Sequence, residues 1–405
     1  MVRTAQTEDI PPAPARRLFG RAFFRVICAQ MSFNYCFSTF LLLPKYLSTE
    51  LHASASDLGH VTAIQGVTAV IAVPFVSSFV DRVGRRPLMA AGALLSLVYA
   101  LCWLGITHIG PAALALQVLS GLAFMAAFSG SSTLVADLAP ADRLSQAIGV
   151  FGAANISMNA LAPAIAEPVA AHFGWRAAFL IAAGFSCLSL LLTRAVDEPA
   201  RAAHTRASPL RDLLTTLRVA KRMGPYALAM ATCGAAFGAV FTFYQPCVLA
   251  QGAKNVSMFF VGFTAAAVLT RVGLGSLADR FGRRRVALPA FTMYALVVLS
   301  MTQLTPGRLL GFGLAFGFAH GFFYPALNAL ALENTLQNER GRAMTLVSGA
   351  FHLGNTLSVL AFGWVAQHFG FSPVFVLAAC VAFAGLAVLY ASAPKAAAPL
   401  VSPAE

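Results

Sequence analysis

Asp81-Arg82-Val83-Gly84-Arg85-Arg86 returns 198 residues later as Asp279-Arg280-Phe281-Gly282-Arg283-Arg284. Each copy follows a long apolar run, and the match is not isolated. At an offset of 196, AAHFGWRAAFLIAA from Ala170 pairs with AQHFGFSPVFVLAA from Ala366, Asn159 falls on Asn355, and Asp137 falls on Glu333. Agreement at several separate places makes the chain an internal duplication. Whatever one half builds, the other builds again.

Outward from these repeats, the sequence alternates between apolar stretches and short polar ones. A helix that crosses a bilayer needs roughly 20 mainly apolar residues. Twelve segments meet that length: 22–47, 56–80, 87–107, 111–137, 144–168, 175–195, 225–250, 256–279, 286–304, 308–333, 342–368 and 372–392. The expected fold is an all-α membrane protein of twelve transmembrane helices. The longest polar interval, 196–224, divides them six and six and reads as a linker. It separates an N-terminal six-helix lobe, 22–195, from a C-terminal one, 225–392, with polar tails at 1–21 and 393–405. An even number of spans per half gives both repeats one orientation, so two pseudo-symmetric lobes are expected to face each other across a central cleft.

Composition points the same way. The chain has 405 residues, 58% hydrophobic and 11% charged, against about 25% charged in a soluble domain. Cys28, Cys36, Cys102, Cys187, Cys233, Cys247 and Cys380 all lie in apolar runs without paired spacing, which argues against a disulfide or zinc framework and for small core residues. The net charge of +13 comes without a dense Lys/Arg tract interleaved with aromatics, so a nucleic-acid partner is not expected. The polar, Pro-rich first twenty residues, followed by a run long enough to span, are not a cleaved signal peptide, and the first span is expected to remain.

The basic residues follow membrane topology instead. With the termini and every second loop on one side, 23 Lys/Arg lie there and four lie opposite (Lys45, Arg176, Lys254 and Arg308), with Arg271 inside a span. Positive charge stays cytoplasmic, so both termini and the linker are expected inside the cell. An intramembrane enzyme would need a convergent catalytic set, and direct ATP hydrolysis a Walker-type phosphate loop. Neither is found, no cofactor or metal site is expected, and the chain reads as no enzyme.

The repeated loop resembles the G-x-x-x-D-R-x-G-R-[KR] signature of the major facilitator superfamily, and the resemblance covers nearly the whole chain. The second copy fits with Gly275, Asp279, Arg280, Gly282, Arg283 and Arg284. The first fits with Asp81, Arg82, Gly84, Arg85 and Arg86, while Ser77 replaces its glycine. GFGLAFGFAHGFFYPALNALALEN from Gly311, ERGRAM from Glu339 and Gly174-Trp175-Arg176 are similar to bacterial sugar-efflux and drug-efflux permeases. Two family features depart: Gln117 stands where the span-4 pattern R-x-x-Q-G has arginine, and the glycine-rich span-5 pattern survives only as Ala162-Pro163. The resemblance implies a cytoplasmic latch, with Asp81 at the start of span 11, Arg85 on Asp137, Asp279 at the start of span 5 and Arg283 on Glu333. These contacts would close the cytoplasmic side. Arg271, eight residues before Asp279 and about 12 Å along the helix, is expected to snorkel toward that face and support the latch.

Ionisable groups at membrane depth are functional candidates. All fifteen Asp and Glu lie in tails, loops or span ends, and Glu167 is the deepest toward the outside. His320 and His352 lie deep in spans 10 and 11 and can change charge near physiological pH, so these three are the candidates for proton coupling. Gln30, Asn34 and Ser38 form a stripe on span 1, and Asn155 and Asn159 on span 5. The superfamily lines its cavity with spans 1, 4, 7 and 10, which adds Tyr35, Ser129, Tyr244, Gln245, Tyr324 and Asn328. Aromatics with few charges around the cavity favour an amphipathic or hydrophobic solute with some hydrogen-bonding capacity over a highly charged one. The resemblance implies secondary transport by alternating access in a bacterial inner (plasma) membrane, without cofactor, by a chain expected to be monomeric. Proton-driven export of a drug or metabolite leads. Proton-coupled uptake is the alternative, and a receptor or intramembrane enzyme is a more distant one.

Overall fold

The computed structural model describes residues 20–140, 143–196, 198, 209–273, 281–333, 335 and 339–392, while the side chains of 73–74, 76–82, 145, 209–217, 272, 340 and 341 lie outside the description. The described residues form twelve long helices and no strand. α1 is Arg21–Glu50, in which a 3-10 turn at Phe40–Leu42 joins Arg21–Thr39 to Leu43–Glu50. The next five are α2 (Ala55–Val83), α3 (Arg85–Cys102), α4 (Pro111–Leu138), α5 (Leu144–Phe173) and α6 (Trp175–Arg194). The second half holds α7 (Pro209–Leu249), α8 (Ser257–Gly273), α9 (Arg283–Ser300), α10 (Leu309–Glu333), α11 (Arg340–Phe369) and α12 (Phe371–Ala391). Among the described residues, ten helices are long and apolar enough to cross a bilayer. Large apolar side chains such as Ile71, Leu269 and Tyr390 point outward from the bundle, an exposure that lipid chains tolerate and water does not.

The duplication is visible in the backbone. Single glycines with positive φ join α2 to α3 (Gly84, 110°), α5 to α6 (Gly174, 81°) and α11 to α12 (Gly370, 82°), and Gly282 (91°) precedes α9. Only glycine enters this region without a Cβ penalty. The repeated sequence motifs are thus repeated reversals between adjacent helices.

Within the first half α3 packs on α4 and α6, α1 on α6 and α5, and α2 on α4; within the second, α8 packs on α10, α7 on α11 and α12, and α9 on α10 and α12. Across the halves α2 meets α11 and α5 meets α8. Small residues permit the closest approaches, since tight van der Waals packing rather than burial from water joins helices in lipid. Gly317 of α10 lies directly on the backbone of Phe263 in α8, and Gly354 of α11 on Ala231 in α7. Gly317→Ala is expected to push α8 and α10 apart and to lower stability by about 1–3 kcal/mol. A melt of the detergent-purified protein reads this, and Gly311→Ala, where a Cβ meets nothing within 4 Å, should melt like the parent.

Two expectations change. α7 begins at Pro209, well before 225, because Leu210, Leu213, Leu214 and Leu217 recur at helical spacing through the charged stretch. An amphipathic pattern extends a helix without adding a spanning segment. The cysteines are not all core residues: Cys36 and Cys233 are buried, but Cys28, Cys102, Cys187 and Cys380 are exposed on outer helix faces. In a bilayer such a face has apolar neighbours, so apolar sequence context does not distinguish it from a core.

Candidate functional site

A cavity of about 430 Å³ lies between the two halves, lined by α1, α2, α4 and α5 on one side and α7, α8, α10 and α11 on the other. Larger concavities of about 980 and 670 Å³ lie on second-half helices at α9 and α12 and at α8, α9 and α10. Their linings are almost wholly apolar and uncharged, as expected of lipid-facing grooves. The inter-half cavity alone among the three gathers convergent polar groups, the mark of a small-molecule site.

Its two walls differ. On the first-half wall, amides satisfy one another: Gln30 donates to Asn155 Oδ1 at 3.1 Å, Asn34 also hydrogen-bonds Asn155 Oδ1, Ser38 donates to Asn159 Oδ1 at 2.9 Å, and Gln65 donates to Ser120 at 2.9 Å. The second-half wall carries Arg271, His320, Tyr324 and His352. His320 sits in an aromatic cage, with ring centroids 4.9 Å from Phe237, 5.4 Å from Tyr324 and 5.9 Å from Phe351.

Of the expected cavity residues, Asn34, Asn155, Asn159, His320 and Tyr324 line the cavity. Gln30 backs it through its amide bonds. Tyr35 turns away to stack on Phe185 at 3.9 Å, and Ser129 and Asn328 are not in the lining; Asn328 donates instead to Tyr324 O at 3.0 Å. Tyr244 and Gln245 lie past Phe241 toward the α7 C-terminus. Tyr244 is fully buried on Phe259, its hydroxyl donating to Val256 O at 3.2 Å. Arg271, expected to support the latch, lines the cavity, while Asp279 and Arg280 of that latch lie outside the described residues. Gln117, at the missing arginine position, is buried and donates to the Tyr99 hydroxyl at 3.4 Å. The aromatic wall formed by Phe37, Phe124, Phe128, Phe237, Phe241, Phe263 and Phe351 was not singled out from sequence. Asn355 also lines the cavity, and its signal was present as the repeat partner of Asn159.

One end of the cavity is shut by a polar seam. Glu167 of α5, 2% exposed, accepts from Lys45 Nζ at 2.6 Å and from the backbone N–H groups of Val256 and Ser257 at 2.7 and 2.8 Å. One carboxylate from the first half thus caps the α8 N-terminus of the second, where the helix dipole favours negative charge. Lys45 Nζ also donates to Lys254 O at 2.6 Å, Gln245 donates to Leu41 O at 2.7 Å and accepts from Lys45 N at 3.2 Å, and Gln367 Oε1 accepts from Ala55 N at 3.1 Å. α2 and α11 close beside it through Gly59, whose neighbours are Val359 O and Gly363 Cα. Glu167 therefore sits in this seam and outside the cavity lining.

At the other end, Arg85 Nε lies 2.9 Å from Asp137 Oδ2, and Glu198 accepts from Arg85 N at 2.8 Å. Arg86 donates to Arg194 O. In the second half Arg283 donates to Ala329 O at 3.2 Å, one turn before the exposed Glu333, and Arg284 holds Ser392 O and Tyr390 O at 2.6 and 2.7 Å. Each of these contacts stays within one half. The side chains of Asp81 and Arg82, and residues Gly275, Asp279 and Arg280, lie outside the description.

The sequence pattern of the Major Facilitator Superfamily matches residues 23–253 and again 249–405. The chain is 24% identical over 355 residues to the multi-drug resistance efflux pump PmrA of Streptococcus pneumoniae, covering 81% of this chain and 84% of that one. It is 26% identical over 336 residues to the multidrug resistance protein MdtG of Enterobacter lignolyticus, covering 80% and 79%. Among solved structures it superposes on a D-xylose-proton symporter with a TM-score of 0.73 at 18% identity, covering 92% of this chain and 97% of the other.

Proposed function

We propose that this chain, which belongs to the Major Facilitator Superfamily and is a multi-pass membrane transporter rather than an enzyme, exports a small organic compound by proton-coupled alternating access. Twelve spans form two six-helix lobes that rock about a site near the bilayer midplane. The Glu167 end faces outward, and both termini and the repeated Asp-Arg-x-Gly-Arg-Arg loops face the cytoplasm of a bacterial inner membrane. The chain works as a monomer, since one chain supplies both lobes.

The observation that supports this most is the pairing of a polar cavity with a closed end made of breakable contacts. Hydrogen bonds, one ion pair and glycine contacts close the seam around Glu167, and all can re-form after separation. The state described is then closed outside and loads from the cytoplasm. When the seam parts, the arginine-rich loops close the opposite end, with Arg85 and Asp137 already paired within their lobe. The 23-to-4 split of Lys/Arg supports this sidedness, and the names of PmrA and MdtG support export. His320 and His352 are the proposed proton carriers, being the titratable imidazoles of the cavity wall.

Expression in a bacterium stripped of its main efflux pumps tests the reading. Tolerance to at least one toxic compound should rise, and His320→Ala or His352→Ala at equal membrane levels should remove the gain. Accumulation of that compound in energised inverted vesicles should follow. Export is rejected if the intact chain raises tolerance to nothing and inverted vesicles accumulate none of the panel.

A further inference from the structure

The second-half wall of the cavity carries a cation, Arg271. Among the described residues, Arg271 has no acidic partner, and its Nε is buried without a hydrogen-bond acceptor. His320, 5% exposed, likewise leaves Nδ1 unpartnered. Arg271, His320 and Tyr324 line the same cavity wall, with the His320 and Tyr324 ring centroids 5.4 Å apart, so the three groups form one neighbourhood. Opposite them, the first-half amides already satisfy one another. No Asp or Glu is among the described cavity residues.

A guanidinium in a low-dielectric site needs an anion or several carbonyl acceptors, and an unpaired buried donor is costly. Among the described residues, neither reaches Arg271. The acceptor must arrive with the ligand. We propose that the transported compound is an amphipathic organic anion, its carboxylate, sulfonate or phosphate held by Arg271 with His320 and Tyr324. Its apolar body lies along the phenylalanines of both walls, including Phe37, Phe124, Phe241 and Phe263. Guanidinium suits such a head because its planar fork meets two oxygens at once. An organic cation meets the opposite situation, a positive wall with no carboxylate among the described residues. This assignment rests on the transporter reading and names the substrate class within it, but it does not depend on the direction of transport.

Calorimetry on the purified full chain in lipid nanodiscs tests it with three probes of one shape: 2-naphthalenesulfonate, 2-naphthylmethylammonium and 2-naphthalenemethanol. The sulfonate should bind at least about tenfold more tightly than the other two. Arg271→Gln should weaken it at least about tenfold, and Arg271→Lys, which keeps the charge but loses the fork, should fall between. The assignment is overturned if the ammonium probe binds as tightly as the sulfonate. It is also overturned if the sulfonate gives no binding up to about 1 mM, or if monodisperse Arg271→Gln protein binds it as the parent does. If Arg271→Gln does not fold, the comparison of the three probes on the unaltered chain decides. Binding needs no gradient, so a failure of vesicle export rejects the export reading and leaves this result standing.

Discussion

Glu167→Gln is expected to raise the population opened at the Glu167 end by at least about tenfold, a shift of about 1.4 kcal/mol or more. The carboxylate receives three donors: the Lys45 ammonium and two backbone N–H groups at the start of α8. Glutamine keeps the shape but brings an NH2 group of its own, so one of those donors must face another donor. It also leaves Lys45, 12% exposed, without its counter-ion. Removing one member of a buried pair costs about 3–5 kcal/mol because the remaining charge stays desolvated. Here that cost falls on the closed state, since opening exposes Lys45 and the α8 N-terminus to water. The variant should therefore redistribute between states rather than unfold. Spin labels at Ala53 and Phe369, in a background without native cysteines, should report a longer-distance population that the parent lacks. Lys45→Met in the same chain should restore part of the closed state, the non-additivity expected of touching groups. An unchanged distance distribution in Glu167→Gln would show that the carboxylate does not hold the seam.

Helix positions and the duplication were legible in the sequence because both are written locally. Hydropathy marks a span within its own residues, and a reversal between helices shows as a Phe-Gly or Val-Gly pair whose glycine must take positive φ. The seam was not legible, because Lys45, Glu167, Gln245 and Val256 come from three helices and a loop, and nothing local links them. The position of Glu167 along α5 does not reveal that α8 begins against it. Arg271 shows the same limit. Its distance from Asp279 along the helix allowed the side chain to run toward the loop, while its direction depends on how α8 packs against α10. For the cavity, adjacent residues diverge: Asn34 faces the space and Tyr35 turns to Phe185. Choosing between them requires the rotation of α1, which a run of mostly apolar residues leaves unmarked. The aromatic wall was hidden for a related reason, since phenylalanine facing a cavity and phenylalanine facing lipid read alike.

Gly59→Leu is expected to abolish transport while each half stays folded. A Cβ at this position would stand 2.5 Å from Val359 O and 3.2 Å from Gly363 Cα, both backbone atoms of α11. A side chain can swing aside, but a helix backbone can move only with its helix. Extra methylenes in a packed contact cost about 1–3 kcal/mol even when side chains yield, and here the neighbours cannot. The least costly response is for α2 and α11 to separate at this end, which is the opening motion of the proposed cycle. The halves keep their internal contacts, so the melt should match the parent, while the label pair at Ala53 and Phe369 should report the open arrangement almost alone. Gly66→Ala is the milder comparison, because its neighbour is the Thr356 side chain, which can rotate. Adding Glu167→Gln to Gly59→Leu should change the distance distribution no further, since a carboxylate cannot weaken a seam that no longer closes. Solute flux near the parent level in Gly59→Leu proteoliposomes would mean that transport does not require α2 and α11 to meet.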